Sequence, residues 1–388
     1  MTEWKEYKLG EIVSIASGFA YKGEHIGKGE NLLLGMGCVS YKEKFLISGA
    51  RPYAGDCAYR YYAKAGDIVL ATRQQSDNLP ILGMPAIIPK ELKDKKLIVG
   101  ANLYRVTNNS DFDNKYIYWL LKTPAYVKHI ASCKTGTTVG MITKADIENF
   151  VFTAPDRTGR EQILEAVSSL DDKIDLLHRE NATLEQMAET LFRQWFVVEA
   201  KEEWEEGKLG DEFNFTMGQS PSGDSFNEDG VGIPMYQGNA DFGFRFPTKR
   251  VFTTQPTRFA ESNDTLISVR APVGVQNMAT EKCCIGRGVA AFRYKGNHSY
   301  YSYTYYKLKS LLEEIKQFND NGTVFGSISK SDFENLDIMI PDDETIKMFQ
   351  KQVKVIDNKI INNNNEIQTL IQTRDGLLPK LMSGEIKI

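Results

Sequence analysis

Thr158–Phe196 reads TGREQILEAVSSLDDKIDLLHRENATLEQMAETLFRQWF. Its apolar residues recur in alternating steps of four and three: Ile163, Val167, Leu170, Ile174, Leu177, then Leu184, Ala188, Leu191 and Trp195. That is a heptad seam, interrupted once by Asn181. Thr158 and Glu161 have capping-box spacing, and Pro155 suits a chain about to enter a helix. At about 1.5 Å per residue the helix would be about 58 Å long. So narrow an apolar seam cannot hold a helix in water alone and needs a second seam to bury against.

That second seam lies 186 residues later: Phe349, Val353, Ile356, Ile360, Asn363, Ile367, Leu370, Arg374, Leu377 and Leu381, with Asn363 and Arg374 as departures. Leu170-Asp171-Asp172-Lys173-Ile174 returns as Ile356-Asp357-Asn358-Lys359-Ile360. Two unrelated surface helices would not keep one register over this length. The chain therefore contains two copies of one long helix, with Pro379 and Gly384 ending the second.

The rest of the chain is duplicated too. Trp4–Glu11 (WKEYKLGE) returns as Trp204–Asp211 (WEEGKLGD), and Gly66–Arg73 (GDIVLATR) as Asn263–Arg270 (NDTLISVR). Gly136-Thr-Thr-Val-Gly140 and Lys144–Asn149 (KADIEN) return as Gly322-Thr-Val-Phe-Gly326 and Lys330–Asn335 (KSDFEN). The order is domain (1–156), central helix (157–200), domain (201–341), C-terminal helix (342–388). Asp67–Ala71, Thr265–Val269, Asn149–Thr153 and Asn335–Ile340 read as strands, and Lys115–Ile130 and Ser299–Phe318 as helices with aromatic stripes. The fold class is α+β: two mixed α/β domains in tandem, separated by two long helices whose seams can bury against each other.

With 388 residues, 41% hydrophobic and 25% charged, the chain is long enough for two or three globular domains. It has no run of 18 apolar residues, and its polar start (MTEWKEYKLG) does not resemble a signal peptide, so a cytoplasmic protein without membrane contact is expected. Five cysteines without a CxxC spacing read as buried thiols. The net charge of −4 does not announce a nucleic-acid binder, but residues 1–156 carry 20 Lys+Arg against 16 Asp+Glu. A basic block in the second domain also holds Arg250, Arg258, Arg270, Lys282, Arg287 and Arg293. Local positive faces fit an acidic total.

Catalytic constellations are missing. The four histidines are scattered, and there is no HExxH, phosphate loop or nucleophile elbow. Asp77-Asn-Leu-Pro80 lacks the second proline and the aromatic of the methyltransferase motif that it approaches, and reads as a loop. What remains is recognition chemistry. Arg73 and Arg270 end equivalent strands and suit bidentate guanine or phosphate contacts, or else structural ion pairs. Gln74 follows the first of them. The Gly-Thr turns, with Thr137 and Thr323 beside Lys134, Lys144 and Lys330, could hold phosphates, or serve as tight turns into each domain's last strand. Gln219 and Ser220 lie in a polar turn that could face a groove, and Arg250 and Arg287 belong to the basic block. The tyrosines at 300, 301, 303, 305 and 306 could stack on bases, but their alignment with Tyr116, Tyr118 and Trp119 favours core packing.

The tandem halves resemble the specificity subunits of type I restriction–modification systems. The resemblance is carried by the Trp-x-x-x-Lys-Leu-Gly starts, Gly218–Ser222, Val269–Gly274, the Lys-x-Asp-Ile/Phe-Glu-Asn stretches, the Arg160-Glu-Gln162 helix start and the ending Leu377–Glu385. Glu161-Gln162 becomes Lys347-Met348 in the second copy, so the two helix starts are not strictly equivalent. The resemblance implies a non-catalytic subunit with two target recognition domains, each reading half of a split double-stranded DNA sequence, and two long helices forming an antiparallel coiled coil as the spacer between them. It implies two methyltransferase subunits that bind S-adenosylmethionine, and restriction subunits that use ATP and Mg, with no cofactor in this chain. The rival class is a duplicated protein-interaction scaffold that binds no DNA. For the coiled coil the sequence nominates Ile163, Val167, Leu170, Ile174, Leu177, Leu184 and Leu191 on the first helix, and Val353, Ile356, Ile360, Ile367, Leu370 and Leu377 on the second.

Overall fold

A computed structural model describes residues 4–40, 43–74, 81–136, 139–270, 272–319 and 326–387. The chain divides into two compact units, residues 1–176 with 367–388, and residues 177–366, so the division passes through both long helices.

In the first unit, Trp4–Lys8 pairs antiparallel with Val151–Pro155, which ties the start of the domain to its end. A four-stranded antiparallel sheet runs in the order Val13–Ser17, Leu103–Asn108, Ile68–Ala71, Pro85–Ile87. Ile68–Ala71 is buried along its whole length, which is why it reads as a continuous apolar run instead of an alternating one. A second sheet holds Ala50–Tyr53, Ile26–Leu34, Leu97–Val99 and Tyr62–Ala63, with Ile26–Leu34 and Leu97–Val99 parallel.

The second unit repeats the plan. Glu205–Lys208 pairs with Asp337–Ile340, and a four-stranded sheet runs Phe213–Met217, Val289–Tyr294, Thr265–Ser268, Gln276–Met278. Asn263 is the one non-glycine with positive φ (70°) among the described residues, and it stands where Gly66 (φ 87°) stands in the first copy. Asparagine tolerates that region better than other side chains, so the turn before the strand is kept without glycine.

The central helix spans Arg157–Arg193 and continues through a π-type turn, Gln194–Val198; the C-terminal helix spans Asp343–Ser383. In the first unit their segments are antiparallel. Ile163 and Val167 share a core with Leu378, Leu381 and Met382, while Asp171, further along, meets Arg374 at 2.9 Å. The second unit has the same sense. Asn181 accepts a 2.9 Å hydrogen bond from Asn363, and Phe192 and Phe196 pack on Phe349 with ring centroids 5.6 and 5.1 Å apart.

Several expectations need correction. Asp156, not Thr158, caps the central helix: its Oδ1 accepts the Gly159 N–H at 2.9 Å. Asp342 does the same at the equivalent place, accepting from Thr345 N–H at 2.9 Å. A carboxylate there also suits the positive end of the helix dipole. Pro379 does not end the last helix, which runs through it to Ser383 before Gly384 turns left-handed (φ 76°). Each aromatic-striped helix is really two. The first breaks before Thr123, which caps Pro124–Cys133, and the second breaks at Leu311.

The deepest stripe of the long helices also differs from the apolar seam. Ile163, Val167, Ile174, Leu177, Val353, Ile360 and Ile367 are buried, but Leu170, Leu184, Leu191, Ile356, Leu370 and Leu377 are only partly so. The polar Asp171, Asn181, Glu185, Asp357 and Asn363 take buried places, each with a polar partner. Asn363 and Arg374 are therefore matched positions rather than defects. Among the described residues, no helix is long and apolar enough to cross a membrane.

Candidate nucleic-acid interface

Arg73 lies two residues beyond the end of the interior strand Ile68–Ala71. Thr72 N–H donates to the Asn102 carbonyl at 3.1 Å, and the Thr72 carbonyl accepts from Ile142 N–H at 3.3 Å. Arg73 then pairs in register with Met141, just before the helix Lys144–Glu148. The second copy is built alike. Val269 N–H donates to the Gly288 carbonyl at 2.9 Å, its carbonyl accepts from Ile328 N–H at 3.2 Å, and Arg270 bridges Ser327 before the helix Lys330–Glu334. Both arginines are exposed, and neither makes an ion pair among the described residues.

In the second unit, chain pairing gathers more of the nominated residues around the Gly286–Gly288 turn. Gln219 N–H donates to the Ile285 carbonyl at 3.0 Å, and Ser220 Oγ accepts from the Arg287 N–H at 3.3 Å. A Cβ on Gly218 would lie 2.1 Å from the Gly286 carbonyl, and one on Gly288 would lie 2.1 Å from the Gln237 carbonyl, so only glycine permits this approach. Arg258 belongs to the same group, because its carbonyl accepts the Ile285 N–H. The sequence placed Arg258 in the basic block but not in the site; only the pairing of residues 258 and 285 brings it here. Arg258, Arg270 and Arg287 are all exposed, and backbone pairing brings their stretches of chain to one turn.

Other nominated residues are occupied elsewhere. Gln74 is buried, and its Oε1 accepts the Leu82 N–H at 3.4 Å, so its side chain serves the fold. Arg250 pairs with the buried Asp241 at 2.8 Å, and that carboxylate also accepts from Gln237 N–H. Lys330 pairs with Glu334 at 3.2 Å along its own helix. Lys134 lies over Gly140, next to the Thr135–Met141 bridge, and Lys144 is exposed at the first turn of its helix. Thr137 and Thr323 fall outside the described residues. Arg293 forks onto Asp264 with two 2.6 Å bonds, which makes it structural. Tyr303, Tyr305 and Tyr306 are buried, so base stacking gives way to core packing at these positions. Among the described residues, no group of acids, histidines and cysteines could hold a metal ion.

Two domains of one plan, each placing an exposed arginine two residues beyond a core strand, define a tandem recognition protein. The chain belongs to the type I restriction modification DNA specificity domain family, whose model matches it twice, over residues 1–186 and 201–372. It is similar to the MjaX type I restriction enzyme specificity subunit of Methanocaldococcus jannaschii, 28% identical over 349 residues covering 85% of this chain and 80% of that one. The HindI specificity subunit of Haemophilus influenzae is 25% identical over the full length of both chains. The crystal structure of a type I restriction-modification S subunit from M. genitalium shares the fold, with a TM-score of 0.55 at 18% identity and coverage of 98% and 96%.

Proposed function

We propose that this chain reads a bipartite DNA sequence, one recognition domain per half-site, and holds two methyltransferase subunits and the restriction subunits of a type I complex on its helices. The observation that carries the reading is the equivalent placement of Arg73 and Arg270. Two copies of one surface suit two half-sites, and a duplicated chain suits a paired set of partners. Phosphate contacts would supply affinity, and base contacts at the strand ends would supply sequence. The chain itself binds no cofactor in this reading. S-adenosylmethionine belongs to the methyltransferase subunits, ATP and Mg to the restriction subunits, and the complex works on DNA in the cytoplasm. The test is to express the chain with its methyltransferase partner and sequence the methylated DNA. A split motif with a fixed unread gap is expected. A continuous motif, or no salt-dependent duplex binding by the complex, would overturn the reading in favour of a protein scaffold.

A further inference from the structure

In each unit a basic residue from one equivalent loop of the recognition domain ends among acids on the long helices. In the second unit it is Arg245, from the segment between the strands Ile233–Tyr236 and Val251–Thr253. Its backbone carbonyl accepts the Met278 N–H at 2.9 Å, which pins that segment to the edge strand of the main sheet. Its side chain is 1% exposed. The guanidinium lies 2.8 Å from Asp357 on the C-terminal helix and 3.9 Å from Glu185 on the central helix. It also donates to the Tyr306 hydroxyl at 3.2 Å and sits 3.4 Å over the Tyr305 ring. Lys309 approaches Glu185 and Glu189 from the same side.

The first unit has the counterpart. Lys44 lies between the strands Ile26–Leu34 and Ala50–Tyr53, and its carbonyl accepts the Ile87 N–H at 3.1 Å, from the edge strand equivalent to that of Met278. Its ammonium pairs with Asp171, and with Asp175 at 2.7 Å. Asp171 stands 186 residues before Asp357, so the same acid of the duplicated helix receives the same loop in both copies. Arg374 completes this group by pairing with Asp171 while lying 5.1 Å from the Trp119 ring.

Burying such charges yields little net stability, because desolvation offsets the attraction and a well-packed apolar substitute often does as well. A forked guanidinium held from two helices and stacked on a ring instead fixes direction. We infer that Arg245 with Asp357 and Glu185, and Lys44 with Asp171, are positioning latches that set the angle of each recognition domain on its helices, and so the number of base pairs tolerated between half-sites. The inference rests on the bipartite reading. The latches touch neither DNA nor reacting atoms; they act through the domains they hold.

The test uses the complex with its methyltransferase partner. Methylation is measured on duplexes with the preferred spacer and with spacers one base pair shorter or longer. Arg245→Met is expected to raise the rate on the altered spacers, relative to the preferred one, by at least about tenfold, with both half-site sequences unchanged. Arg245→Lys should fall between it and wild type. Lys44 is one-third exposed, so Lys44→Met makes the same measurement on the other domain if Arg245→Met fails to assemble. A destabilised complex would lose activity on all spacers alike. Unchanged ratios in Arg245→Lys and Lys44→Met would overturn the latch. A wild-type complex without spacer preference would instead refute the bipartite reading on which it rests.

Discussion

Arg73 and Arg270 occupy one place in two copies, yet among the described residues neither side chain makes an ion pair. A guanidinium left in solvent at the end of a core strand gives up contacts that a structural arginine such as Arg293 keeps. That is the argument for a ligand, and it yields a prediction. Arg270→Ala should leave the melting temperature nearly unchanged, since exposed positions without partners shift stability by about 0.5 kcal/mol or less. It should cost about 1–3 kcal/mol of discrimination if the contact is to a base. If the contact is to a phosphate, affinity should fall on all sequences and the salt slope should drop by about one. Unaltered DNA binding with a large loss of stability would make the residue structural. At this scale the sequence was half legible. The two arginines were found because each ends an apolar run in a repeated motif. Gln74 was misplaced because residue type does not tell which way an edge strand turns its side chains. Arg258 was missed because the residue it pairs with, Ile285, lies 27 positions away.

The helices were legible as periodicity and illegible as polarity. Apolar steps of three and four gave their extent and duplication, whereas the buried Asp171, Glu185 and Asp357 lay beside the apolar seam and passed for solvent-facing charges. Asn181 and Asn363 looked like flaws because each was read without its partner. A buried asparagine pair in a helical seam fixes register at some cost in stability. Replacing both by leucine should therefore raise the melting temperature, while Asn363→Leu alone should lower it by leaving Asn181 without its donor, about 1–3 kcal/mol. Equal effects of the single and double changes would show that the pair is not coupled. Lys122, beside Arg374 and Asp171 in the first unit, gives a separate test. Burial, with Arg374 beside it, pushes its ammonium down from about 10.5 to about 8. Between those values the unfolded chain binds more protons than the folded one, so this group makes stability rise with pH from about 8 upward. Below 8 both states are protonated and the penalty is constant. Lys122→Met should stabilise the protein at pH 7 by about 1–3 kcal/mol, and the gap from wild type should close as pH rises toward 10. A gap that stays constant from pH 7 to 10 would contradict the burial argument.

Over the whole molecule, the compact units do not follow the chain's repeat. The second unit is one stretch, 177–366, while the first draws on both ends of the chain. Each unit keeps its own helix segments, so contacts such as Arg245 with Asp357 and Lys44 with Asp171 close inside a unit. This dictates where domains can be exchanged. Transplanting 177–366 from a relative carries the donor's loop together with the acids it meets. Transplanting only 201–341 sets a donor loop against the host's Glu185 and Asp357, leaving buried charge without its partner wherever the donor lacks Arg245, at a cost of about 3–5 kcal/mol. The first chimera should fold as well as its parents and, if each domain reads alone, should change one half of the methylated sequence and leave the other intact. The second should assemble less stably, or lose its spacer preference, when the donor's residue at the loop position is not basic. Two altered half-sites in the first chimera, seen by sequencing its methylated DNA, would mean that the domains read jointly; equal stability of the two chimeras would mean that the loop contacts do not matter to assembly.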